Sequence, residues 1–167
     1  MTVIRPNFRN GFYAGLLVAI MAGVYVLHLW KPEQQVELHS VHLLHAIERR
    51  DADAIGEFID VNYQDQWQHD RTLLLERLRA ALRYTRNLHL EPHEPIVVPV
   101  SGDCEWQARI TVAGEQNEVV TLIANRINPL KEPFLLQWRK QSWKPWDWKL
   151  IHASNEALEL PAEGWLE

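Results

Sequence analysis

The sequence predicts an α+β protein: a single N-terminal membrane helix, then three helices packed on a curved antiparallel sheet. Three observations carry this. Residues 11–30, "GFYAGLLVAIMAGVYVLHLW", hold no Asp, Glu, Lys or Arg in a chain that is 23% charged. Between residues 36 and 82 the apolar residues recur at helical spacing, and from about residue 86 the period falls to two.

Twenty helical residues rise about 30 Å, the thickness of a bilayer's hydrocarbon core. Aromatic residues flank the run, Phe8, Phe12 and Tyr13 before and Tyr25 and Trp30 after, as membrane interfaces favour. Arg5 and Arg9 precede it, which predicts residues 1–10 as a cytoplasmic tail and the chain beyond Lys31 as exported. The run ends in "VYVLHLWKPEQ" without the small-residue exit of a cleaved leader, so 11–30 reads as a retained anchor in the inner membrane, its domain periplasmic. His28 lies near its exported end, within reach of the interface, which argues against a proton relay. Gly11, Gly15, Ala19 and Gly23 form a stripe of small residues along the helix, which lets a second helix approach closely.

"KPEQQ", residues 31–35, reads as a polar hinge. Val36, Leu43, Leu44 and Ile47 mark one helix; Asp51 caps a second carrying Ile55, Phe58 and Ile59; Asp70 caps a third with Leu74, Leu75, Leu78, Ala81 and Leu82. "LEPHEPIVVPV" is broken by prolines at 92, 95 and 99 and suits an edge strand or an irregular extended run. "EWQARITV" alternates, with Trp106, Ala108, Ile110 and Val112 on one face. "VAGEQNEVV" reads as a hairpin connection and "EVVTLIANRI" as the partner strand. "PFLLQWRKQ" and "WDWKLIHAS" form a further pair, with Trp146, Trp148, Leu150 and His152 on one face. The domain so defined covers 36–155, and 156–167 is expected to be a loosely held tail.

The net charge of -5 is unevenly spread: after residue 30, 15 Lys and Arg face 22 Asp and Glu, leaving -7. An acidic domain without a basic stripe excludes nucleic acid as the expected partner. Cys104 is the single cysteine, so no internal disulfide forms, and no His, Asn or Asp at a known spacing makes it a nucleophile. His39, His42 and His45, with His89 and His93, invite a metal reading. They lack H-E-x-x-H or C-x-x-C spacing and acidic or thiol company, so neither metal nor cofactor is expected.

Trp138, Trp143, Trp146 and Trp148 crowd eleven residues with Arg139, Lys140, Lys144 and Lys149 interleaved. This cluster is the candidate interaction surface, with core packing the expected role of Trp106 and Trp148, and Trp143 near a turn better suited to contact.

The order of elements, "LLHAIERRDADAI" through the closing "WDWKLIHAS", resembles the NTF2-like (SnoaL-like, cystatin-like) α+β superfamily over roughly residues 36–155. The layout of anchor plus exported domain is similar to that of VirB8-like secretion scaffolds. The resemblance implies a cone-shaped cavity between sheet and helices, and members that are enzymes, ligand binders or structural dimers. For an enzyme it implies Asp65 or His69 of "YQDQWQHD" as general base at the cavity mouth, Tyr63 or Tyr84 as oxyanion donor, and His152 as a cavity residue. The opposing reading makes that segment a solvated loop with Asp70 as a cap. No catalytic residue is assigned. The expected function is a non-catalytic membrane-anchored accessory or scaffold subunit, binding other membrane subunits, itself as a homodimer, and the lipid bilayer. The alternative is a membrane-tethered ligand-binding domain or an enzyme of isomerase or dehydratase type.

Overall fold

A computed structural model describes residues 8–115 and 117–159. Helix α1 runs Phe8–Leu29 and is followed by α2 (Pro32–Glu48), α3 (Ala52–Phe58) and α4 (Arg71–Leu82). Strands β1 (His89–Val100) and β2 (Asp103–Ala113) come next, then α5 (Glu118–Ile127), β3 (Phe134–Lys140) and β4 (Trp148–Ser154). The four strands form one antiparallel sheet in the order β1-β2-β3-β4.

The predicted caps are present. Asp51 accepts from the Ala54 amide at 3.0 Å and Asp70 from the Leu73 amide at 2.8 Å, each satisfying an orphan donor of its helix. Residues 31–35 are no hinge: Pro32 sits in the first turn of α2, where its missing N–H costs nothing. The segment "EVVTLIANRI" is α5 rather than a strand. Its β-branched residues suggest a strand, but Val120, Ile123, Ala124 and Ile127 fall at i, i+3, i+4 and i+7 and turn towards the core. Asn117 caps it, accepting from the Val120 amide at 2.8 Å. Among the described residues the domain therefore has four helices after α1, not three.

α2 lies across the sheet with its C-terminal end at the start of β1, where Glu48 accepts from the Leu90 amide at 2.7 Å and from His89 at 2.8 Å. Trp106, Ala108 and Val112 of β2 are buried beneath the helices with Leu136 and Trp138 of β3 and Trp148 and Leu150 of β4. β1 is the edge strand its prolines predict, irregular between His93 and Ile96. The other edge is covered: amides of Asp60, Gln64 and Gln66 donate to carbonyls of Leu150, Ile151 and Ala153. β4 carries one extra residue, Ile151, because Gln137 pairs with His152 while Trp138 pairs with Leu150. That bulge puts His152 in register with Gln137 rather than on the Leu150 face. The tail is held as far as it is described: Leu158 is buried and its carbonyl accepts from the Trp67 indole at 2.9 Å. Residues 160–167, and 1–7 of the expected cytoplasmic tail, lie outside the described residues.

The anchor expectation meets a mixed result. The apolar run is helical, yet among the described residues no helix is long and apolar enough to cross a membrane.

Truncating Trp138, which is 0% exposed, to Ala should cost about 3–5 kcal/mol in urea unfolding, whereas Trp143→Ala, at a residue 85% exposed, should stay within about 0.5 kcal/mol.

Candidate functional site

The expected aromatic surface divides in two. Trp138 and Trp148 point into the core and cannot contact a partner; Trp143 and Trp146 stand exposed in the β3–β4 loop. The division follows strand period: Trp138 and Trp148 lie on the buried face of β3 and β4, and the other two fall where the strands have ended. Gln141 anchors the loop by donating to Asp60 at 2.6 Å, and the Trp148 indole donates to the Pro145 carbonyl at 2.9 Å.

Indoles occupy the interior in which a cavity was expected. Trp106 and Trp138 are fully enclosed beneath α2, and His39 packs edge-on against Trp138 (5.8 Å between ring centres) and Phe58 (5.9 Å). His39 Nδ1 lies 2.7 Å from the Gln35 carbonyl, and the ring also bonds the backbone of Trp146. Burial outweighs these bonds and holds the imidazole below its ordinary pKa. The Trp106 and Trp138 indole N–H groups and the Ser40 hydroxyl have no hydrogen-bond partner. Surface grooves lie outside this interior. One of about 380 Å³ runs between α3 and α4 beside Gly56, Arg71 and Arg79, and its Arg71 guanidinium already donates to the Gly56 and Ile59 carbonyls.

Asp65, His69 and Tyr63 do come together, in the loop before α4. All three are buried. Asp65 Oδ1 accepts from the amides of Trp67 at 3.0 Å and His69 at 2.8 Å. Its Oδ2 lies 2.9 Å from His69 Nδ1, and Arg77 Nη1 lies 2.8 Å from His69 Nε2. A carboxylate on one side and a guanidinium on the other assign the tautomer: Nδ1 carries the proton and Nε2 accepts from Arg77. Both ring nitrogens are thus engaged, and no lone pair is left to take a substrate proton. The Tyr63 hydroxyl bonds Asp65 as well; burial, then the carboxylate's charge, push its pKa up. This network closes a loop from within.

The remaining candidates are dispersed. Tyr84 is exposed beyond α4, and His152 contacts the Gln64 carbonyl at 2.5 Å. His45 and His89 flank Glu48, and His93 bonds Thr111 at 2.7 Å. Burial works against the Glu48 charge, but the Leu90 amide and the two imidazoles prevail and hold its pKa below the usual range. Among the described residues no His, Cys, Asp and Glu group is arranged to hold a metal. Cys104 is buried, and burial followed by the nearby Glu33 and Asp103 charges raises its pKa, the opposite of an activated thiol. Along α1, a side chain added at Gly11, Gly15 or Gly23 would meet nothing within 4 Å.

The sheet order, the α2 crossing and the short α3–α4 pair decide the architecture. The fold is NTF2-like. An NTF2-like protein of unknown function from Pseudomonas putida superposes with a TM-score of 0.56 at 12% identity, over 78% of this chain and 89% of that one. An NTF2-like protein from Cytophaga hutchinsonii gives 0.51 at 15% identity, over 74% and 95%. Bdellovibrio bacteriovorus Bd1075 gives 0.58 at 9% identity; the match covers 75% of this chain but 41% of that one. No protein-family profile and no curated protein matches the sequence. At these identities the likeness is one of fold, and the NTF2-like domain keeps its own interior and loops.

Asp65→Ala should leave the buried His69 N–H and two backbone amides without acceptors and lower stability by about 1–3 kcal/mol in urea unfolding, the same readout that His152→Ala should barely move.

Proposed function

We propose that this chain is a non-catalytic, membrane-anchored accessory or scaffold subunit. In this reading α1 enters the inner membrane once, its N-terminus is cytoplasmic, and the NTF2-like domain is exported. The observation that carries it is the exposure of α1. Phe12, Leu16, Ile20, Met21 and Val24 are each more than two-fifths exposed, and the residues between them on the helix's other sides are exposed too. A helix that is apolar all round requires a cover, either lipid or another protein. Its 22 residues rise about 33 Å, and Gly11, Gly15, Ala19 and Gly23 offer an open stripe for a second helix. The order of an apolar N-terminal helix and an NTF2-like domain is similar to the VirB8-like layout. The tethered-enzyme alternative calls for interior space and a free base; the enclosed indoles and the fully engaged His69 weigh against both.

Purified in mild detergent, the full chain should elute as a homodimer or with stoichiometric membrane subunits. Gly15→Ile with Gly23→Ile should dissociate that complex while leaving the domain folded. A wild-type chain that elutes alone as a monomer would count against the scaffold function.

A further inference from the structure

The end of the domain from which α1 departs is built from several elements. The Gln35 side chain donates to the Leu29 carbonyl at 2.6 Å, tying the start of α2 to the end of α1. α2 reaches the start of β1 only at its far end, through Glu48, so its first turns lie towards the opposite end of the sheet. That end holds the β1–β2 turn after Val100 and the β3–β4 loop after Lys140. His39 of α2 packs edge-on against Trp138 (5.8 Å between ring centres), two residues before the end of β3. Asp103 at the start of β2 and Arg139 near the end of β3 join these strand ends through bonds of 3.1 and 2.9 Å.

This end exposes three indoles, Trp30 at 48%, Trp143 at 85% and Trp146 at 55%. Exposed lysines accompany them, Lys31, Lys140 and Lys144. Residues 139–149 carry four cations against the single acid Asp147; Arg139 is neutralised by Asp103, which leaves Lys140, Lys144 and Lys149 with Lys31 as the cations of this end. Indoles beside lysines match a lipid headgroup layer: the ring lies at the apolar boundary while the ammonium meets phosphate.

We propose that the β3–β4 loop seats Trp143 and Trp146 in an anionic headgroup layer beside the entry point of α1, fixing the domain's orientation on the membrane. The proposal rests on α1 being the anchor. Continuity with Trp30 and Lys31 and the local positive charge select lipid as the occupant. Lysines near an anionic surface also make the contact sensitive to salt.

The test uses the full chain in nanodiscs of phosphatidylcholine with phosphatidylglycerol, with nitroxides placed singly through Tyr25→Cys, Ser142→Cys and Tyr84→Cys. Cys104 is buried and stays in place. Collision with oxygen and with a water-soluble nickel chelate reports depth. A label at 25 should read as hydrocarbon, one at 142 as interface with several-fold less nickel collision than at 84, and one at 84 as water. Adding Trp143→Ala and Trp146→Ala should move the 142 label to the aqueous reading. If 142 matches 84 while 25 stays in lipid, the loop contact is wrong and the anchor stands. If 25 reads as water, the anchor fails and takes the loop contact with it. Shielding of 142 from both colliders would put protein on this end and overturn the proposal, as would a 142 reading that ignores the two alanines.

Discussion

An apolar helix that its own domain leaves bare is the constraint from which the other features take their meaning. Eleven large apolar side chains from Phe12 to Trp30 are exposed, so the fold leaves unrealised part of the about 1.5–3 kcal/mol that full burial of one such aliphatic or Phe side chain is worth. α1 meets the remainder of the protein where it joins α2, through the Leu29 carbonyl and the Gln35 amide. Such a surface in water drives association or insertion.

The NTF2-like domain satisfies itself internally. Its sheet brings Trp106 and Trp138 under α2, where smaller side chains would leave room for a ligand. Two indole N–H groups enclosed without acceptors cost free energy, which the packing of two large rings offsets. Polar groups that sequence places together are likewise turned inward. Asp65 serves two amides and an imidazole, Glu48 fastens α2 to β1, and Asn128 closes the end of β2 by bonding both the amide and the carbonyl of Val112. Chemistry-bearing residues are thus used as fasteners, and the surface that remains distinctive is aromatic and basic.

Much of the fold was legible because local rules and tertiary packing agree. Caps at Asp51 and Asp70, alternation along β2 and proline on an edge strand are local signals, and each matches the structure. α5 was misread because Val119, Val120, Thr121 and Ile123 raise strand propensity, while the spacing of its buried residues and the Asn117 cap mark a helix. The faces of β4 were misassigned beyond Leu150, since one inserted residue reverses the alternation and no residue type announces it. At the candidate site, the clustering of Tyr63, Asp65 and His69 was readable. Arg77, eight positions beyond His69 and the partner that occupies its second nitrogen, was not, because only the docking of α4 brings it there. The partition of the tryptophans into core and surface likewise depends on where β3 and β4 stop.

Hydrogen exchange of the full chain in lipid nanodiscs, read by mass spectrometry, tests most directly whether lipid covers α1. Backbone amides of residues 11–26 should then remain unexchanged at least as long as those of β2, since hydrocarbon denies them water. Exchange of that segment within seconds, while β2 stays protected, would show a helix fraying in solvent and would contradict the account.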